Sequence, residues 1–303
     1  MSISVLIIGE TGQLAQALGR TCPHDVKLHT LNRQSLDLTW QNPKIWQALS
    51  DYKTVDAIIL AAAYTAVDLA EDHPTLALQV NEMATQSIAE FCKVNQILLI
   101  YYSTDYVFDG TQSHPYLPSD TTNPVNAYGK SKRAGEIAIE TSQCHSLIFR
   151  TSWLYGGTGR NFLTAMLEFA LVQNKKTLDV VNDQFGRPTF CTHLAEASWK
   201  AIRATLKDRS MTGTYHVSAQ GEPISWAEFA KAIFDQAASF LPHGIAVNGI
   251  AAVSYPAKAT RPYNSVLSNS LFEQTFNFDL PDWTIGLNLA LQDWRTQNLQ
   301  EIL

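Results

Sequence analysis

Ser4-Val5-Leu6-Ile7-Ile8-Gly9-Glu10-Thr11-Gly12-Gln13-Leu14-Ala15 runs from a continuously apolar stretch into a glycine-bearing turn and on into a helix-forming segment, Gln13–Arg20. A run that is apolar at successive residues, without alternation, reads as a strand covered on both faces. Gly9 permits a tight turn, and Gly12 lets backbone N–H groups approach a pyrophosphate at the helix start. Any strand-to-helix turn can use glycine, so a plain turn is the alternative. The strand–turn–helix setting favours a dinucleotide held by Gly9, Thr11, Gly12, Gln13 and Leu14. Ala15 stands where a third glycine is common in such turns, and its methyl still permits close packing of helix on strand.

Further apolar runs follow at Val26–Leu31, Ala57–Ala62, Ile97–Ser103 and Ser146–Thr151. Helical candidates lie between them at Thr75–Val94 and Ala127–Glu140. In the first, Leu76, Val80, Ala84, Ile88 and Phe91 form a stripe near the 3.6-residue period. This order predicts an α/β fold, a doubly wound parallel sheet of the Rossmann-like kind, over residues 1–150. Thr192–Leu206 reads as a helix and Gly213–Ser218 as a strand, so residues about 190–220 are expected to rejoin that sheet. Residues about 151–189, with a helix-like Asn161–Gln173, and 221–303, where aromatics, Pro and Asn thicken, are expected to form a smaller mixed α/β lobe against the strand ends. The dinucleotide belongs to the first unit and the substrate to the second.

The chain of 303 residues carries a formal charge of −6, which argues against a broad nucleic-acid surface but not against a local basic pocket. No apolar run reaches membrane-spanning length. The start of the chain shows no basic leader, so a cytoplasmic location is expected. Cys22, Cys92, Cys144 and Cys191 form no CxxC pair and read as reduced thiols. The histidines show no ligand spacing, and no metal site is expected.

The second strand ends at Leu31-Asn32-Arg33. A carboxylate there would bind ribose hydroxyls and repel a 2′-phosphate. Arg33 stands nearby instead and would pair with that phosphate, which tilts the choice toward NADPH, with NADH possible. An exposed loop arginine is the alternative. Asp37 and Leu38 would border the adenine. After the third strand, the small Ala62 and Ala63, with Tyr64, would let a flat cofactor pass over the strand end. Ala61 reads as core packing.

Tyr128 and Lys132 are four residues apart, one turn along a single helix face. A neighbouring cation stabilises phenolate and would draw the tyrosine pKa down from about 10. Such a tyrosine passes a proton to or from a carbonyl or alcohol oxygen. The fourth strand ends in Ser103 and Thr104, whose hydroxyls would reach the same oxygen; strand-end capping is the alternative.

Together, the N-terminal GxxG, Ser103-Thr104-Asp105-Tyr106-Val107-Phe108 and Tyr128-x-x-x-Lys132 resemble the extended short-chain dehydrogenase/reductase superfamily. More narrowly, the chain resembles the dTDP-4-dehydrorhamnose reductase family. That likeness extends through Ala61–Asp68, Phe149–Tyr155, Asp183–Thr189 and Thr260–Ser265, in order along essentially the whole chain. The resemblance implies NAD(P)H-dependent reduction of dTDP-4-dehydro-β-L-rhamnose, with Tyr128 as proton donor, Lys132 as ribose anchor and Thr104 as hydroxyl partner. It implies that Thr104, Asp105 and Trp153 contact the sugar nucleotide and that the protein is a homodimer. Arg187 and Arg261 are candidates for the diphosphate. Epimerases and dehydratases on this fold typically place an Asp-Glu pair at the fourth strand end, but Tyr106 follows Asp105 here. A regulatory subunit of methionine adenosyltransferase also resembles this family, and the intact Thr104, Tyr128 and Lys132 speak against that reading.

Overall fold

The computed structural model describes residues 3–172 and 176–298. Strand β1 (Ile3–Ile8) is buried from Val5 to Ile8, and its side chains alternate between two separate cores. Val5 and Ile7 pack with Leu14 and Leu18 of the Gln13–Arg20 helix and with Leu194 of the Cys191–Lys207 helix. Leu6 and Ile8 pack with Ile45, Ile88 and Phe91 on the opposite side. A strand without polar alternation needs cover on both faces, and the helices supply it.

The main sheet also takes in β2 (Val26–Leu31), β3 (Ala57–Leu60), β4 (Leu98–Thr104), β5 (Ser146–Thr151) and Gly213–His216. Among the described residues these six strands are all parallel, in the order Gly213–His216, β5, β4, β3, β1, β2. The order reverses between β1 and β3, and such a switch point opens a crevice at the carboxyl ends of the strands. Gly9, Ala61, Asp105 and Ser152 follow directly from those ends.

The stripe over Thr75–Val94 does not make one uninterrupted α-helix. Pro74–Leu78 and Ala84–Asn95 are joined by a π-helical turn, Gln79–Met83. The wide turn leaves Asn81 buried and facing its neighbours. Its amide donates to the Tyr64 carbonyl (3.0 Å) and to Ser131 Oγ (2.8 Å), and accepts from the Tyr64 N–H (2.9 Å).

The Ala127–Ser142 helix starts where Asn126 Oδ1 accepts the Gly129 N–H at 2.7 Å. It lies close to its neighbours because Gly135 has no side chain: a methyl there would come within 2.2 Å of the Asn81 carbonyl oxygen. Glu136, fully buried one turn beyond Lys132, takes two hydrogen bonds from Arg150 of β5, at 2.9 and 2.8 Å. Arg133 adds a third at 3.1 Å.

Away from the main sheet, Thr177–Val181 pairs with Ala246–Ile250 in parallel and Phe185–Gly186 with Ile224–Ser225 antiparallel. Beside the first pair run the helices Phe162–Val172 and Trp226–Ala237, the latter opened by a capping box between Ser225 and Glu228. Gln173, expected to end the first of these, lies outside the described residues. Among the described residues no helix is long and apolar enough to cross a membrane.

Removing one partner of the Glu136–Arg150 pair leaves a buried charge short of its counter-ion. Arg150→Met is expected to cost about 3–5 kcal/mol in urea unfolding, and Arg150→Met with Glu136→Gln less than Arg150→Met alone. Equal losses in the two would show that the pair is not what holds the helix.

Candidate active site

Over the strand ends lies a cavity of about 1470 Å³. A single small ligand usually takes about 300–1,000 Å³, so this chamber has room for two side by side.

One half is built on the first turn. Gly9 has φ +109°, and a Cβ there would sit 2.7 Å from the Cβ of Ala62, so both conformation and space require glycine. Gly12 opens the Gln13–Arg20 helix without any side-chain cap. Its first N–H groups are thus left for an anionic ligand, which suits the diphosphate of a dinucleotide. Thr11, Gly12, Gln13 and Leu14 all line the chamber. Gln13 also ties this turn to the segment after β5: its amide donates to the Leu154 carbonyl (3.2 Å) and accepts from Asn161 (3.3 Å). Ala62, Ala63 and Tyr64 line the floor beyond β3, with Tyr64 pinned by Asn81.

Asn32, Arg33, Asp37 and Leu38 line the far end. Asn32 Oδ1 accepts the N–H groups of Gln34 and Ser35 and so shapes that loop. Arg33 is 82% exposed, and its Nε donates to Asp37 at 3.2 Å. A carboxylate is therefore present at this end, four residues past the arginine. Burial acts to raise the Asp37 pKa, but hydrogen bonds from the Thr39 backbone and hydroxyl and from Arg33 outweigh it and hold it below the ordinary value.

The other half brings together Ser103, Thr104, Asp105, Tyr128, Lys132, Trp153 and Arg261. Thr104 and Tyr128, both hydroxyl-bearing, line the same chamber. The Thr104 hydroxyl donates to Asp105 Oδ1 at 2.9 Å and accepts the Tyr106 N–H at 3.2 Å. Ser103 Oγ is buried without a hydrogen-bond partner.

The expected lowering of the Tyr128 pKa does not hold in this structure. Burial raises it, the nearby Thr104 hydroxyl opposes, and the Asp105 charge adds to the rise. Lys132 pays the desolvation cost instead. It is 2% exposed, its ammonium lies 3.9 Å from the centre of the Tyr101 ring, and burial draws its pKa down to about 7 against the charge of Glu136. Tyr128 is thus held as a neutral phenol, the form that gives a proton away.

Trp153 has φ +47°, rare for a bulky residue. Its ring stacks on Trp226 at 3.5 Å and 6°, and a Cβ at Gly186 would come 2.6 Å from it. Arg261 reaches the chamber while paired to Asp68 (2.8 Å). Arg187 does not line it. Its guanidinium donates to the Leu267 carbonyl (3.3 Å), and its own carbonyl accepts from Ser152 (2.9 Å). Sequence reasoning passed over Asn81, Trp226 and Arg160, although the last two also line the chamber. Ser225-Trp226-Ala227-Glu228 carries a legible helix-start pattern, but nothing in it says where Trp226 will lie.

A family model described as the RmlD substrate binding domain matches residues 3–296. The chain is similar to the dTDP-4-dehydrorhamnose reductase of Salmonella typhimurium, 37% identical over 298 residues, 97% of this chain and 99% of the relative. A dTDP-4-keto-6-deoxy-D-glucose reductase of Streptomyces niveus is 35% identical over 235 residues, covering 76% of this chain and 77% of that one. Among solved structures, dTDP-4-dehydrorhamnose reductase from Bacillus anthracis in complex with NADP superposes with TM-score 0.89 at 32% identity, over 97% of this chain and 100% of that one.

The buried ammonium gives a stability test. Lys132 titrates near about 7 when folded and near about 10.4 when unfolded, so between these values the unfolded chain binds more protons and stability rises with pH. The cost is fully present below the folded value. Lys132→Met is expected to be more stable than wild type by on the order of a few kcal/mol at pH ~6, with the gap closing toward pH ~10. Urea unfolding across that range measures it; a gap independent of pH would mean the ammonium carries no such cost.

Proposed function

Because the chain belongs to the dTDP-4-dehydrorhamnose reductase family, carrying its RmlD substrate binding domain over residues 3–296, we propose that it reduces the C4 ketone of dTDP-4-dehydro-β-L-rhamnose to dTDP-β-L-rhamnose. The observation that carries this reading is one chamber lined by the Gly9–Gly12 turn and by Thr104, Tyr128 and Lys132. The reduced dinucleotide, NADPH or NADH, supplies the hydride that C4 gains.

Every other part falls to the chain. The uncapped helix start and the Gly9 turn receive the dinucleotide's diphosphate. Lys132 takes the nicotinamide-side ribose, which returns hydrogen-bond partners to a desolvated ammonium. Arg33 and Asp37 meet the adenosine ribose, the guanidinium favouring a 2′-phosphate and the carboxylate free hydroxyls. Tyr128 gives its proton to the C4 oxygen as negative charge develops there. Thr104 and Asp105 hold the sugar side of the site, with Trp153 as a wall and Arg261 beside the diphosphate.

A homodimer fits the half-exposed or exposed Leu76, Met83 and Ile137 on adjoining helical segments. A cytoplasmic location fits the four free cysteines. The Streptomyces niveus relative supplies a second reading, in which the keto sugar differs in configuration while the chemistry stays the same.

The test mixes purified protein with NADPH or NADH and enzymatically made dTDP-4-keto sugar, and identifies the product. Stoichiometric loss of nicotinamide absorbance and a dTDP-rhamnose product are expected. Tyr128→Phe is expected to lower kcat by about 100-fold or more with little change in KM. Arg33→Ala is expected to raise the KM for NADPH by about 5-fold and leave that for NADH nearly unchanged. Cofactor that is recycled rather than consumed would point to an epimerase or dehydratase, and tight partner binding without turnover to a regulatory subunit.

A further inference from the structure

We propose that Trp226 is a positioning residue for the sugar: by stacking on Trp153 it fixes that indole at the chamber wall, where the sugar of the substrate must seat. The inference rests on the reductase reading and deepens it, naming a second tryptophan through which the chain recognises the sugar end of its nucleotide sugar.

The backbone of Trp153 has φ +47°, in the left-handed region that a large side chain rarely enters. A residue stays there only where its surroundings over-determine it. Just before it, Ser152 Oγ donates to the Arg187 carbonyl at 2.9 Å. The Trp153 carbonyl accepts the Thr189 N–H at 3.2 Å, and Leu154 pairs with Thr189 in a short parallel bridge. These bonds hold the backbone of the segment but not the indole. The ring is fixed by what touches it, and two contacts do so. One is Gly186, where a Cβ would come 2.6 Å from Cε2 of the ring. The other is Trp226, whose ring centroid lies 3.5 Å away with the planes 6° apart.

Aromatic pairs left to themselves settle offset or edge-on, with centroids about 4.5–7 Å apart. An overlap as full as this one is imposed by its surroundings. Trp226 can impose it because it has little freedom of its own. It is the first residue of the Trp226–Ala237 helix. That helix start is locked by reciprocal bonds, from the Ser225 N–H to Glu228 at 2.7 Å and from the Glu228 N–H to Ser225 Oγ at 3.2 Å. Phe162 packs against the Trp226 ring at 4.7 Å. Trp153 therefore meets a capped helix start and a backbone with no side chain to yield.

Trp153 and Trp226 line the same chamber as Thr104 and Tyr128. A deoxysugar ring carries no charge by which it could be steered, so the shape of the wall decides where its C4 comes to rest. A wall displaced by about an ångström takes C4 out of line with the Tyr128 phenol. The dinucleotide and the diphosphate are left to the Gly9–Gly12 turn and to arginine, so loss of the stack is expected to reach the sugar alone.

Calorimetric titration with dTDP-β-L-rhamnose, with dTDP and with NADPH separates these contributions, because dTDP lacks the sugar. Wild type is expected to bind the nucleotide sugar more tightly than dTDP. Trp226→Leu, which stays apolar but cannot stack, is expected to weaken dTDP-rhamnose by about 5- to 10-fold and to leave dTDP and NADPH unchanged. Trp226→Phe, which keeps a flat face, is expected to recover most of that loss. In a Trp153→Leu background, Trp226→Leu is expected to add nothing further. Should Trp226→Leu fail to fold, Gly186→Ala leaves Trp226 in place and drives a methyl against the Trp153 ring; the same selective loss is expected. Equal weakening of dTDP or NADPH overturns the proposal, because Trp226 would then support the fold at large. Additive losses in the double variant overturn it too, because Trp226 would then act without Trp153. So does dTDP-rhamnose binding that neither Trp226→Leu nor Gly186→Ala alters, or that is no tighter than dTDP in wild type. Wild type that binds dTDP-rhamnose but consumes no reduced dinucleotide with the keto sugar fails the reductase reading, and the titrations still judge the stack by themselves.

Discussion

A glutamate and an arginine, both taken out of water, fix the position of the helix that carries the chemistry. Glu136 sits one turn beyond Lys132, and Arg150 reaches it from β5 with two hydrogen bonds. Charges this deep are costly unless their geometry is good and their remaining valences are met. Here both oxygens of the carboxylate are taken and Arg133 adds a further bond, so the fork keeps the helix in one register. Tyr128 and Lys132 inherit that register. Asn81 secures the same helix from its other side through Ser131, and Gly135 supplies the space that lets them meet.

The site then follows from where the strands stop. Parallel strands deliver their carboxyl ends to one edge, and the reversal between β1 and β3 leaves a gap there. Gly9 fills one side with backbone alone. Thr104 and Asp105 arrive from β4 and Trp153 from β5, while Phe162, Val181 and Trp226 also line the gap. Gln13 fastens the first turn to the segment after β5 by hydrogen bonds in both directions. The resulting chamber is undivided, which is what two large ligands reacting with each other require.

Much of this was legible in the residues. β1, β3, β4 and β5 could be read because parallel strands buried on both faces carry continuous apolar runs, whereas β2 lies at the sheet edge, half-covered, with Lys27 and His29 between its apolar residues. Gly9 could be read because the turn runs so close to Ala62 that a side chain is excluded, and Gly12 because it stands at the start of the helix that follows. The π-helical turn at Gln79–Met83 could not, since its residues keep an ordinary helical stripe and only the tertiary demand on Asn81 widens the turn. The Tyr128 pKa was misjudged for a related reason. Spacing shows that Lys132 is near but not that both groups are desolvated, and burial dominates both titrations. Asp37 was read as bordering the adenine; its bond from Arg33 depends on the turn that Asn32 holds after β2, which the residues do not disclose. Arg187 follows the strand Phe185–Gly186 and spends its guanidinium on a carbonyl, which a motif does not disclose.

The stacked indoles of Trp153 and Trp226 have a consequence outside chemistry. Two such chromophores, face to face at 3.5 Å with their planes nearly parallel, share their electronic excitation. Their joint transition responds to small changes in angle and spacing far more than either ring alone would. The wall of the chamber therefore doubles as an optical gauge, and near-ultraviolet circular dichroism can follow the arrival of a sugar nucleotide without any label.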